Sequence, residues 1–308
     1  MSPFRLKLTI VLLLLALPLS ACKFNSLTTT PVPSPSPSLI VTPASILPTK
    51  TEVVPAPSVT PSPTATQSPT KNFSSLESEL IAGVDWYILI QDANSGDILF
   101  ERNADTPFPP ASMIKIPTAM AVLSILEDQG RTLEDLKTTG INGRNFDSLL
   151  EAMVVRSEES ATDALEYFAR GDNLLWEKLD AWGLINTRYD PRVSTASELL
   201  NSLKLLNTGA ALNKENTQYL LNLMGAYTEN DRILMGKLID ELPDCMFLNK
   251  RGTMLSPTIV SDMGILNCGE QSWYLVVAGT PAAGSQTTFE DIQASIESFA
   301  LTSAIYIK

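Results

Sequence analysis

The sequence predicts an α/β (α+β) domain in which an antiparallel sheet is flanked by terminal helices and an all-helical lobe is inserted between the sheet's two halves. Three observations predict it. Segments rich in β-branched and aromatic residues stand at both ends of the region after residue 75, as in VDWYILIQ and SWYLVVAGT. Between them lies a long block whose apolar residues recur at helical spacing, as in SLLEAMVVRS and TASELLNSLKLL. The strand-like segments at each end are joined by connections too short for parallel crossovers, so the sheet is antiparallel and the helices form a separate lobe.

The elements follow in order. Residues 1–22 carry basic Arg5 and Lys7, the apolar run LTIVLLLLALPL and the ending Leu19-Ser20-Ala21-Cys22. That run is short for a membrane span and has the layout of a secretory signal. Its ending resembles a bacterial lipobox, which makes Cys22 the expected lipid anchor and the protein an extracytoplasmic, membrane-anchored lipoprotein. Residues 23–75 are dominated by Pro, Ser and Thr, and 11 of the 21 prolines fall between Ser26 and Asn72. Too little apolar surface is available there to offset the entropy of ordering, so this segment is expected to be a disordered tether.

Residues 76–308 are expected to form the domain. VDWYILIQ, the turn Ala93-Asn94-Ser95-Gly96 and DILFERN read as a hairpin. Helical periodicity runs from Ser112 to about Met235, and strands return as CMFLNKRG, TIVSDMGILN and SWYLVVAGT. TFEDIQASIESFALTSA closes the chain as an amphipathic helix. A hairpin turning near Ser256 would set Cys245 roughly opposite Cys268. An oxidising compartment permits a disulfide between them, and two buried free thiols are the alternative.

Composition narrows the chemistry. Residues 73–308 hold 17 basic and 33 acidic side chains, a net charge of −16, which repels nucleic acid and anionic lipid surfaces. The chain has no histidine, so Ser-His-Asp and Cys-His mechanisms are excluded together with most zinc sites. No metal and no cofactor are expected. A nucleophile here needs another base, and lysine is the obvious one. In PPASMIKIPTAMAVL, Ser112 and Lys115 stand at i and i+3 of a predicted helix, where a hydroxyl and an amine share a face. The pattern alone is not specific, since Ser68-Pro69-Thr70-Lys71 repeats it in the tether.

Two further segments complete a pattern: Ser157-Glu158-Glu159 within the helical block, and Lys250-Arg251-Gly252-Thr253 at the end of a returning strand. In order and spacing they resemble the Ser-x-x-Lys, Ser-Asp-Asn and Lys-Thr-Gly elements of the penicillin-recognising serine hydrolases, specifically the class A β-lactamase-like branch. The likeness covers residues 80–305 and includes FPPAS before Ser112, SATDAL after Ser157, the TASELL helix and Ser261-Asp262-Met263-Gly264. The resemblance implies a β-lactamase/transpeptidase-like fold and an acyl-Ser112 intermediate formed with a β-lactam or a peptidoglycan peptide, in a monomer. It makes Lys115 the base for Ser112 and Ser157 the proton relay to the leaving nitrogen. Lys250, Gly252 and Thr253 would bind substrate, and the Ser112 and Thr253 N–H groups would hold the oxyanion.

Three departures qualify that picture. The interval WGLINTRYDPRVS lacks the family's Glu-x-x-Leu-Asn segment and is over about ten residues too short, so no deacylating glutamate can be assigned. Asp190 is the nearest carboxylate, and before Pro191 it reads as a turn residue. Glu159 stands where the family has asparagine: it offers acceptors only and favours the charged form of Lys115, unless it serves as a new base or binds an amine-bearing substrate. Arg251 replaces a small hydroxyl residue, and Arg232 is either a substitute carboxylate binder or an exposed structural arginine. The expected function is therefore a serine hydrolase with poor deacylation; the alternative is a catalytically degenerate module that binds cell-wall peptide or a partner.

Overall fold

The computed structural model describes residues 73–226 and 232–307. The signal segment, Cys22 and all but the last three residues of the expected tether lie outside the described residues. A 3-10 turn covers Phe73–Glu79, so those last three residues belong to the first ordered element.

The elements are β1 (Val84–Asp92), β2 (Ile98–Arg102), α1 (Lys115–Asp128), α2 (Leu133–Thr138), β3 (Gly140–Ile141), β4 (Arg144–Asn145), α3 (Phe146–Val154), α4 (Glu159–Arg170) and α5 (Leu174–Ala181). They continue with β5 (Arg188–Tyr189), β6 (Arg192–Val193), α6 (Ala196–Asn207), α7 (Lys214–Met224), α8 (Leu238–Glu241), β7 (Met246–Leu255), β8 (Thr258–Cys268), β9 (Gln271–Pro281) and α9 (Phe289–Ile307). The main sheet has the order β2-β1-β9-β8-β7, antiparallel throughout. The two halves expected from sequence thus meet where β1 pairs with β9.

Strand alternation sorts the core into two layers. Trp86, Ile88 and Ile90 of β1 join Leu275 and Val277 of β9 beneath Ile292, Ile296 and Phe299 of α9. Leu89, Val276 and Ala278 face the other way, onto the lobe built around α1. Gly279 lets this packing close, because a Cβ there would sit 2.7 Å from the Trp86 ring and 2.8 Å from Ile292. The ends of α9 and α2 are set by reciprocal caps: Thr288 with Asp291, and Thr132 with Asp135.

The lobe is not purely helical. Two ribbons of two-residue strands interrupt it, β3 with β4 and β5 with β6. The first turns at Asn142 and Gly143, both at positive φ (52° and 79°), the geometry a two-residue hairpin demands. At the other end of the sheet, β7 and β8 turn at Ser256-Pro257 with Met246 opposite Asn267, and a disulfide joins Cys245 to Cys268. This resolves the two alternatives in favour of the bond.

Candidate active site

Ser112 does not begin α1. It lies in a 3-10 turn, Ala111–Ile114, that feeds α1 at Lys115. The approach to this turn is held from two sides. Phe108 exchanges backbone hydrogen bonds with Ser194 (2.9 and 3.0 Å), and its ring stacks on Tyr87 with centroids 4.6 Å apart. β7 then comes against the turn backbone to backbone. A Cβ on Gly252 would lie 2.6 Å from Ser261 Oγ, 2.9 Å from the Pro110 carbonyl oxygen and 3.0 Å from Ser112 N. Gly252 is not a lining residue of the cleft; its missing side chain is what lets Thr253 and Ser112 share one wall. Ser261 Oγ donates to the Gly252 carbonyl at 2.7 Å and fixes the strand there.

The cleft between sheet and lobe is lined by Ser112, Arg156, Ser157, Lys250, Arg251 and Thr253, with Val155 and Ile233 as its apolar part. Of the residues expected from sequence, Ser112, Ser157, Lys250 and Thr253 are therefore brought together. Three non-glycine residues at positive φ border it: Ala111 (47°), Ser157 (58°) and Leu234 (54°). Strained backbone of this kind persists where surrounding structure over-determines it, and it gathers at functional sites.

The two lysines have different surroundings. Lys115 is fully buried and donates to Glu159 Oε1 at 2.6 Å and to the Ser157 carbonyl at 2.8 Å, with Ser157 Oγ at 3.5 Å. Its amine makes no hydrogen bond to Ser112, so the expected base is turned toward the second serine and the acid. Burial lowers its pKa, and the hydrogen bond and charge of Glu159 oppose that fall. Lys250, 1% exposed, donates to Ser157 Oγ at 2.8 Å and has no carboxylate partner among the described residues. Burial first, then the charge of Lys115 and of Arg251, pushes its pKa down to about 7.

Glu159, expected to face a substrate, instead sits behind Lys115, outside the cleft lining, and takes a second partner in Arg192 at 3.3 Å. Burial pulls its carboxyl upward, but Lys115 and Arg192 outweigh this and hold it below the usual range. Arg192 was not anticipated. It reaches Glu159 because the β5–β6 ribbon sets it opposite Tyr189, over whose ring its guanidinium lies (5.2 Å to the centroid). The only signal in the chain was indirect: an acid placed at Glu159 calls for a second cation nearby.

The short 182–194 interval is stapled down. Buried Glu198 accepts from Asn186 N and Nδ2, both at 2.8 Å, and from Thr187 Oγ1 at 2.6 Å. The Tyr189 and Thr118 hydroxyls are hydrogen-bonded at 2.8 Å. Asp190 is exposed in the ribbon turn, apart from the cleft lining. Arg232 lies 3.9 Å from Asp240 and does not line the cleft either. Arg251 does line it, as does Arg156, which pairs with Glu151. Behind the cleft wall, fully buried Asp262 accepts from Asn249 Nδ2 at 2.9 and 3.0 Å, and burial raises its pKa to about 7.

Comparison with known proteins places this arrangement. The Beta-lactamase enzyme family matches residues 74–300. The chain belongs to that family. Among solved structures, the TLA-3 extended-spectrum β-lactamase superposes with a TM-score of 0.61 at 19% identity, over 75% of this chain and 97% of that one. The β-lactamase from Sphaerobacter thermophilus gives 0.61 at 18% (76% and 97%), and PBP-A gives 0.60 at 17% (75% and 96%). These likenesses show the fold. A D-alanyl-D-alanine endopeptidase from Pseudomonas aeruginosa is 30% identical over 152 residues, 42% of this chain and 48% of the relative, so the chain spans about half the length of that curated relative.

Proposed function

We propose that the protein is an extracytoplasmic hydrolase, lipid-anchored through Cys22, in which Ser112 attacks the amide carbonyl of a β-lactam or a cell-wall peptide and retains the acyl group. The observation that carries this reading is the convergence of Ser112, Ser157, Lys250 and Thr253 on one cleft, closed by the side-chain-free approach of Gly252. The Ser112 N–H makes no hydrogen bond to any described residue and is available to a developing oxyanion. Arg156, Lys250 and Arg251 line the cleft and no acid among the described residues does, so a carboxylate-bearing donor is drawn into an otherwise acidic domain. The name of the Pseudomonas relative makes peptides ending in D-alanyl-D-alanine the first donors to try.

Slow release of the acyl group follows from the same geometry. No carboxylate lines the cleft among the described residues, and the interval that would carry one is pinned by Glu198 and Tyr189. Among the described residues, water reaching an acyl-Ser112 has no cleft carboxylate to take its proton.

The binding-module reading is favoured by one observation, the Lys115–Glu159 pair, whose charge interaction opposes release of a proton by the expected base. Incubation of the full-length chain with a fluorescent penicillin separates the two readings. Enzyme chemistry yields a stable covalent adduct by intact mass that Ser112→Ala abolishes. Absence of an adduct with any penicillin or acyl-peptide donor leaves the binding module as the surviving reading.

A further inference from the structure

Two buried amines flank one serine in this cleft, and their hydrogen-bond partners differ in kind. Lys115 points its donors at a carboxylate and a carbonyl, and the negative charge of the carboxylate favours the ammonium form against the effect of burial. Lys250 has a hydroxyl as its partner, and a hydroxyl can donate as well as accept. The groups facing Lys250 are the Lys115 ammonium from α1, Ser157 from the segment before α4, Glu159 on α4, Arg251 on its own strand and Asp262 on β8. Arg156 lines the same cleft. Glu159 is already engaged by Lys115 and Arg192, and Asp262 by Asn249. The neighbourhood of Lys250 therefore disfavours a second buried cation.

Resting on the acyl-Ser112 reading above, we propose that the two lysines have exchanged roles: Lys250 is the group that takes and returns the proton, and Lys115 is a fixed cation that holds Ser157 in place. In the forward step neutral Lys250 takes the Ser157 hydroxyl proton while Ser157 takes that of Ser112, and Ser112 Oγ bonds to the acyl carbon. In the collapse step the Lys250 ammonium returns a proton through Ser157 to the leaving nitrogen as the carbon–nitrogen bond breaks. Thr253, on the cleft wall, is placed to hold the donor's carboxylate. Glu159 in place of an asparagine is what drives the exchange, because its hydrogen bond and charge oppose the loss of a proton from Lys115.

The sign of the pH dependence follows. An amine with its pKa near 7 is neutral above that value, so acylation rises with pH through about 7 and then levels off. The test measures acylation rates of the full-length chain with fluorescent penicillin from pH 5 to 9, in the native protein, Lys250→Arg and Lys115→Arg. Arginine keeps the charge and does not release its proton. The expected result is a loss of about 100-fold or more with no rise near pH 7 in Lys250→Arg, within the usual range for an acid–base group. Lys115→Arg is expected to lose about tenfold and to keep the rise. A rise that survives in Lys250→Arg, or vanishes only in Lys115→Arg, overturns the proposal.

Carbon-13 NMR of the lysine side chains, assigned with the same variants, decides the order of titration independently of activity. Lys250 is expected to titrate near neutrality while Lys115 remains an ammonium; the opposite order overturns the exchange. If the native chain takes up no label, the acyl-Ser112 reading falls, and the NMR order still reports separately on the two amines.

Discussion

The wall formed by the Ser112 turn and β7 is packed backbone to backbone, whereas the wall that carries Ser157 is backed by the charged side chains of Lys115, Glu159 and Arg192. On the first, 2.6 to 3.0 Å separates the place of an absent Cβ from three neighbours, so the geometry has one solution. On the second, the partners are long side chains on three different elements, and Glu159 is more than half exposed. Steric definition tolerates no substitution, while charge pairing can be rewired by a single residue. The backbone arrangement of the first wall is thus fixed by sterics, whereas the charge pairing of the second depends on Glu159 standing where the family motif has asparagine.

The sharpest way to break this contrast is Gly252→Val. The branched side chain must push β7 away from Ser112, and a displacement of about 1 Å costs on the order of 100-fold in a positioned reaction. Acylation by fluorescent penicillin is expected to fall by at least that much; unchanged labelling would mean that the backbone contact does not position the serine.

A smaller effect is expected at the far end of the same strand. The Cys245–Cys268 bond closes a loop with a sequence separation of 23 residues. Its removal in the Cys245→Ser, Cys268→Ser double variant should cost about 3 kcal/mol of stability. In thermal denaturation this corresponds to a drop of roughly 6–12 °C. Labelling of Ser112 at 25 °C is expected to persist, because Gly252 and Ser261 hold the strand locally; loss of labelling would show that the clip, not the local contact, sets the wall.

The smallest change probes the lobe. Tyr189→Phe removes one hydroxyl from the buried pair with Thr118 and should lower stability by about 1 kcal/mol, read from urea unfolding at constant m-value. A larger loss, accompanied by a changed acylation rate, would place the ribbon that carries Arg192 among the parts that position the site.

Much of this was legible in the chain because it depends on local pattern. The alternation of Trp86, Ile88 and Ile90 against Tyr87 and Leu89 assigns β1 and both its faces. The Ser256-Pro257 turn sets the register that brings Cys245 opposite Cys268. The order of Ser112, Ser157 and Lys250 located the cleft.

What could not be read depended on one backbone angle or one register. Lys115 meets an acid 44 residues away, and Ser157 takes a left-handed conformation that no propensity of serine announces. Arg192 arrives through a ribbon of two-residue strands, too short to leave a periodic trace. The start of α1 at Lys115, with Ser112 in a tighter turn before it, is likewise set by the contact with β7.

Burial pushes the pKa of Asp262 on β8 up to about 7 and that of Lys250 on the adjoining strand down to about 7. Below neutrality this pair holds one proton more on each member than it does above, so its summed charge passes from positive to negative across a narrow acidity range. In a chain without a single imidazole, the groups shifted toward neutrality beside the cleft are thus a lysine and an aspartate, moved there by burial.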